Sequence, residues 1–342
     1  MLAIPVPLVV SMMLTLLAIT MHLRYGKQVK MVCLFLVLCA STTAMVGLRW
    51  TFGFVAFSYI QPILASLIPV FAWYTFTRAS TGITTLSLKH AVGPVLVVTS
   101  LITKTIDVLP LDGILTGTYI FYGIALLRYS SQDSLLINVS LSNWEGVKKA
   151  ENLAGWMLLF SALIDTLLSF DFAFNQGIFS LYILTIGHLF LLPVLSLAVL
   201  IVAVNTPTAE ENRTVKEENK EIEVNPLVSE QRAQEIVKSL DEKIREKSIY
   251  LDPDLTLSKL SRKLGVPAKQ ISIAVNLIYK QNISKLINEY RIDHAKQQLL
   301  DSEKSITQIF LSCGFQSKSN FNREFSRITG ITPSEFRKGN SG

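Results

Sequence analysis

The chain holds 342 residues, half of them hydrophobic and only 17% charged, with a formal net charge of +6. That length admits two or more domains, and the charge content falls well under the ~25% of an ordinary globular protein. Three cysteines, Cys33 and Cys39 in an apolar run and Cys313 in a basic one, exclude a disulfide framework and match no zinc spacing. Neither a phosphate-cradling glycine loop nor a nucleophile elbow is present, and no paired carboxylates suit acid–base work. No enzyme activity, catalytic residue, metal or cofactor is therefore expected.

Charge is unevenly spread along the chain. Residues 1–204 carry 10 Lys/Arg and 7 Asp/Glu, residues 205–229 carry 3 and 6, and residues 230–342 carry 19 and 13. This division predicts a membrane domain at 1–204, an acidic flexible linker at 205–229 and a basic soluble domain at 230–342. Windows of about 20 apolar residues, each long enough for a ~30 Å hydrocarbon core, recur at about 2–22, 31–49, 51–76, 90–109, 111–128, 154–174 and 178–204. The first lacks a basic leading segment and a small-residue cleavage site, so it reads as a retained span rather than a signal peptide.

Lys and Arg accumulate on the cytoplasmic side of membrane loops. The loops after the first, third and fifth spans hold Arg24, Lys27, Lys30, Arg78, Lys89, Arg128, Lys148 and Lys149, whereas the alternate loops hold only Arg49. The bias places the N-terminus outside, and seven spans then deliver residue 205 onward to the cytoplasm. Four ionisable residues fall inside predicted spans, namely Lys104, Asp107, Asp165 and His188. Burying such groups in lipid is costly, which makes them candidate ligand-sensing residues. Asp165 and His188 lie at similar depth near the bilayer middle; Lys104 can instead snorkel, and Asp165 can instead be a hydrogen-bonded polar group between helices.

From Ser229 the pattern turns helical. Ile236, Val237, Leu240 and Ile244 mark one apolar face; "YLDPDLT" breaks it, and Thr256 caps a helix carrying Leu257, Leu260 and Leu264. Gly265 ends that helix and another begins near Pro267. A longer helix from about Asn282 presents Ile283, Leu286, Ile287, Tyr290 and Ala295. Ser305 and Gln308 form a capping box, the helix they open ends at Gly314, and Ser317 caps the next. Two short helices joined by a glycine turn thus occur twice, 49 residues apart, an arrangement that suits helix-turn-helix DNA binding as well as a plain helical bundle.

The stretch "GFQSKSNFNREFSRITGITPSEFRK" decides between these readings. Gly314, Phe315, Ser317, Phe321, Arg323, Phe325, Gly330, Thr332, Pro333, Phe336 and Arg337 stand at the spacing found in AraC/XylS-type transcription regulators, which this segment closely resembles. The resemblance covers about residues 235–338. It implies that Lys318, Ser319, Asn320 and Arg323 face the DNA groove from the second unit, and Lys269, Gln270, Ser272 and Ile273 from the first. Ile273 stands where the family often has a polar or basic residue, and Lys280 where it often has glycine.

The expected fold is all-α, a seven-span transmembrane bundle followed by a domain with two helix-turn-helix units. The expected function is a membrane-integrated one-component transcription regulator, multi-pass in the bacterial inner membrane. Its partners are double-stranded DNA, the lipid bilayer and a small-molecule or envelope signal, with a second copy of the chain as a further candidate. A transporter or channel carrying a regulatory DNA-binding tail is the alternative.

Overall fold

The computed structural model describes residues 5–26, 30–53, 56–81, 87–103, 110–131, 137–204 and 228–339. Of the expected linker at 205–229, residues 205–227 lie outside the described residues, while Val228 packs against the core of the second unit and Ser229 caps its first helix. The chain divides into two compact units. The first is built from α1 (Val6–Tyr25), α2 (Lys30–Phe52), α3 (Ala56–Thr81), α4 (Val92–Ile102, entered through a 3-10 turn at Leu88–Ala91), α5 (Leu111–Ser131), α6 (Trp144–Asn175) and α7 (Ser180–Val204). The second contains α8 (Glu230–Lys247), α9 (Leu257–Leu264), α10 (Ala268–Tyr279), α11 (Ile283–Asp301), α12 (Ile306–Ser312), α13 (Lys318–Thr329) and α14 (Pro333–Gly339).

In the first unit α1, α2 and α7 pack against one another, and Phe35, Leu36 and Cys39 are fully buried there. The Ser11 hydroxyl donates to the Ala40 carbonyl at 2.8 Å, tying α1 to α2. Gly123 of α5 and Gly155 of α6 lie so close that a Cβ on either would approach the other's carbonyl oxygen within 3.1–3.2 Å. Small residues at such a crossing let two helix backbones touch. Among the described residues five helices are long and apolar enough to cross a membrane, namely α1, α2, α3, α6 and α7. The α-helical part of α4 has 11 described residues, and α5 is long enough but carries Asp112 and Arg128.

The sixth helix differs from expectation. It begins at Trp144, ten residues before the apolar window, and runs 32 residues without a break. Glu145, Lys148, Lys149 and Glu151 ended the hydropathic signal, but charged residues are good helix formers and do not stop a helix. At 1.5 Å per residue α6 is roughly 48 Å long, well beyond a hydrocarbon core.

The second unit has two small cores that share one helix. Ile236, Leu240 and Ile244 of α8, Leu257 and Leu260 of α9, Ile271 and Val275 of α10, and Ile283 and Ile287 of α11 make the first. Ile292, Ala295 and Leu299, further along α11, pack with Phe310, Phe315, Phe321 and Phe325 in the second. Asp241 on α8 accepts from the hydroxyls of Tyr279 on α10 (2.6 Å) and Tyr290 on α11 (2.7 Å), bracing three helices at one carboxylate. Thr256 and Ser317 cap where the sequence places them, each accepting a backbone N–H of the first turn, and Ser305 with Gln308 forms the capping box; Asn282 caps α11 in the same way. Thr332 and Glu335 make a second box ahead of α14.

Residues 137–145, which join α5 to α6 in the chain, cluster with this second unit, so a division of the chain at residue 204 does not capture them. Leu141 is fully buried in the first core, a burial worth about 1.5–3 kcal/mol.

Five described residues of this unit have left-handed backbone, Gly314 and Lys280 among them. Gly314 has φ +81°, and a Cβ there would lie 2.7 Å from the Leu251 carbonyl oxygen. Lys280, at φ +54°, fills a helix-ending position usually held by glycine. Gly314→Ala is therefore expected to destabilise the second unit by about 2 kcal/mol or more. Lys280→Gly should stabilise it by about 0.5–1 kcal/mol. Hydrogen exchange of α8–α14 amides in the full-length protein measures both.

Candidate nucleic-acid interface

The α12–α13 pair is held from below by aromatic rings. Phe321 meets Phe310, Phe315 and Phe325 at centroid distances of 6.1, 5.3 and 5.6 Å, and Phe325 meets Phe336 at 5.5 Å. With that face fixed, α13 turns its other side outward. Lys318 and Ser319 are exposed at its start, and Asn322, one turn beyond Lys318, is half-buried. Asn322 escaped the sequence reading, although its i+4 spacing from Lys318 puts it on the same face.

Asn320 and Arg323 are placed differently. Asn320 is buried at 6% exposure. Its side-chain amide donates to the Ser142 carbonyl, while its Oδ1 accepts from Arg323 at 2.6 Å. Arg323 also donates through Nε to Glu324 at 3.2 Å and lies 3.5 Å from the Glu145 carboxylate. Glu324 is 2% exposed and receives Arg327 Nε at 3.0 Å from its other side. One buried carboxylate therefore aims two guanidinium groups, a role the sequence signalled only through the i, i+3 spacing of Glu324 and Arg327.

In the α9–α10 pair, Lys269 is exposed and Gln270, Ser272 and Ile273 are half-buried, while Ile271, Ala274 and Val275 fill the core. Ala274 is thus a packing position despite its size.

Between the two cores lies Arg291, with no exposed surface. Its Nε donates to the Tyr250 carbonyl at 2.6 Å, Nη2 to the Asp252 carbonyl at 2.8 Å, and Nη1 to the Ser142 hydroxyl and to Asn288 Oδ1 at 3.4 Å. The guanidinium also lies 5.6 Å from the centre of the Phe315 ring. Burial pulls its pKa down to about 10, opposed by the charge of Asp252, so it remains a cation at neutral pH.

In the first unit a cavity of about 600 Å³ is lined by Asp165 together with Arg49, Gln61, Asp112, Tyr119 and Ser169 among others. Gln61 Oε1 is buried there without a hydrogen-bond partner. Gly187 and Leu191 of α7 reach the same cavity. The side chain of His188, and Lys104 and Asp107 altogether, lie outside the described residues.

A family model described as a helix-turn-helix domain matches residues 260–339. The HTH-type transcriptional regulator ArgR of Pseudomonas aeruginosa is 32% identical over 91 residues, covering 25% of this chain and 26% of that protein. An uncharacterized HTH-type transcriptional regulator of Staphylococcus aureus is 33% identical over 101 residues, covering 28% of this chain and 14% of that protein. The chain thus spans only a minor part of the length of these relatives. The crystal structure of the C-terminal domain of the two-component response regulator yesN from Fusobacterium nucleatum is similar at 28% identity, over 30% of this chain and 96% of that one, with a TM-score of 0.27. The family match and the two HTH-type regulators converge on one assignment: the C-terminal part of this chain is a helix-turn-helix domain, and its motif around α13 is similar to that of AraC-type regulators.

Proposed function

We propose that the protein is a membrane-integrated one-component transcription regulator. The observation that carries this reading is the presence in one chain of a helix-turn-helix domain and of five helices long and apolar enough to cross a membrane. Met12, Met13, Leu16 and Phe174 are 70%, 66%, 66% and 76% exposed on the first unit. An apolar surface of that kind favours lipid over water as its neighbour. The basic bias of alternate loops supports an external N-terminus and a cytoplasmic C-terminal domain in the bacterial inner membrane.

In this reading α9–α10 and α12–α13 are the two helix-turn-helix units, and α10 and α13 enter the major groove of double-stranded DNA. Lys318, Ser319, Asn322 and Arg323 supply contacts from α13, and Lys269, Gln270, Ser272 and Ile273 from α10. Lysine and arginine suit guanine O6/N7 or phosphate, asparagine suits adenine, and Ile273 suits a thymine methyl. A homodimer would place two such readers on paired half-sites. The cavity around Asp165 offers a small polar signal a place to bind among the membrane helices.

Two experiments test this reading in cells carrying a reporter gene under the regulator's own promoter. Lys318→Ala and Arg323→Ala should each weaken duplex binding by about 1–3 kcal/mol and abolish most regulation. Binding by the parent protein should fall steeply with added salt, as counterion release requires. Unchanged affinity in the double variant would remove α13 from the interface. Asp165→Ala should alter signal-dependent reporter output at matched membrane levels while leaving duplex binding in place. Normal induction would return Asp165 to a hydrogen-bonding role between helices.

A further inference from the structure

The segment between α5 and α6 is bonded along the second unit from one core to the other. The Ile137 carbonyl accepts from the Ser258 N–H at 3.0 Å, the Leu141 N–H donates to the Leu255 carbonyl at 2.9 Å, and the Ser140 hydroxyl donates to the Pro253 carbonyl at 2.8 Å. These three contacts fix the segment to the start of α9. The Leu141 carbonyl then receives the Ser284 hydroxyl at the start of α11. Ser142 donates to the Gly314 carbonyl at 3.1 Å, and Asn143 donates to Gln316 Oε1 at 2.9 Å, both in the turn before α13. The segment finishes on α13 itself, where the Ser142 carbonyl holds Asn320 and the Glu145 carboxylate faces Arg323.

We propose that residues 137–145 are an inhibitory strap on the DNA reader. Of the four α13 positions assigned to the groove, the strap engages Arg323 through Glu145, and it also holds Asn320, whose Oδ1 accepts from Arg323. The Ser142 carbonyl takes the Asn320 amide, and Glu145 pairs with the exposed Arg323 guanidinium that a base edge would otherwise meet. The Glu145 charge neutralises Arg323 and repels a DNA phosphate at the same place. The strap's hydrogen bonds and its ion pair run from the start of α9 and of α11 to the turn before α13 and α13 itself, so the block falls on α13. Its far end leads without interruption into α6, whose Ser161, Asp165 and Ser169 line the cavity described above. A shift or rotation of α6 is transmitted along one continuous helix to Trp144 and Glu145, and lifting these residues releases α13. Bound DNA and the strap compete for the same side chains, so each lowers the apparent affinity of the other by the same factor.

This inference rests on the DNA-binding reading, and the test separates the two. The protein is the full chain in lipid nanodiscs, and the probe is a duplex selected by that protein from a randomised pool. Glu145→Gln removes the charge and keeps the shape; Leu141→Ala loosens the anchor. Each should raise duplex affinity by about tenfold, or about 1.4 kcal/mol. A second arm locks the strap. Asn143→Cys and Gln316→Cys, in a chain with Cys33, Cys39 and Cys313 changed to alanine, are joined by a short cleavable thiol linker. Cross-linking should lower affinity about tenfold, and cleavage should restore it. If the cross-linked protein binds as well as the uncrosslinked one, or Glu145→Gln binds no more tightly than the parent, the strap is a structural brace and the proposal falls. Failure of the parent protein to select any duplex would instead overturn the DNA-binding reading.

Discussion

The second unit depends on one buried cation. Arg291 is fully buried on the helix that the two cores share, and among the described residues its guanidinium is held by carbonyl, amide and hydroxyl oxygens. A guanidinium taken out of water must have its N–H groups satisfied or the cost runs to several kcal/mol. Here the acceptors come from three places in the chain: carbonyls of the Tyr250–Asp252 turn, Asn288 on the same helix, and the Ser142 hydroxyl from between α5 and α6. Arg291 therefore fixes the relation of the two helix pairs to one another. It also makes Ser142, from the segment between α5 and α6, part of the hydrogen-bonding shell that joins the two cores of the second unit.

The rest of the unit follows from that arrangement. The Phe315 ring lies beside the guanidinium, and the same ring anchors Phe321 on α13. Gly314, just before it, must be glycine because the Leu251 carbonyl leaves no space for a Cβ. The carbonyls that hold Arg291 and the turn that positions α13 are therefore neighbours. A change in how Ser142 is seated bears on both. On the proposed reading, this gives a membrane signal a short route to DNA, with no diffusible messenger and no contact beyond those of one strap.

Much of the architecture was legible in the sequence because it rests on local rules. The caps at Thr256, Ser305 and Ser317 are short-range hydrogen bonds with a fixed spacing, and the apolar faces of α8 through α13 follow the helical period. The start of α6 was not legible, since hydropathy marks where lipid begins rather than where a helix does. The candidate site was read only in part. The family resemblance implied that Lys318, Ser319, Asn320 and Arg323 share the outward face, but Asn320 is buried and donates to the Ser142 carbonyl, 178 residues away in the chain. Residues 137–145 carry no periodic or motif signal. Their contacts come from carbonyls, one leucine, two serines, Asn143 and Glu145, and nothing in a linear pattern marks such a segment as belonging to a distant core.

The central claim is that the strap and DNA exclude one another on α13. Hydrogen exchange of the full-length protein in nanodiscs, with and without a saturating selected duplex, tests it most directly. The amides to follow are Leu141, bonded to Leu255, and Ser258, bonded to Ile137. The account predicts that DNA speeds exchange at both while slowing it along α13. Equal or slower exchange at Leu141 and Ser258 in the DNA complex would mean that the strap stays seated while the reader is occupied, and would contradict the account.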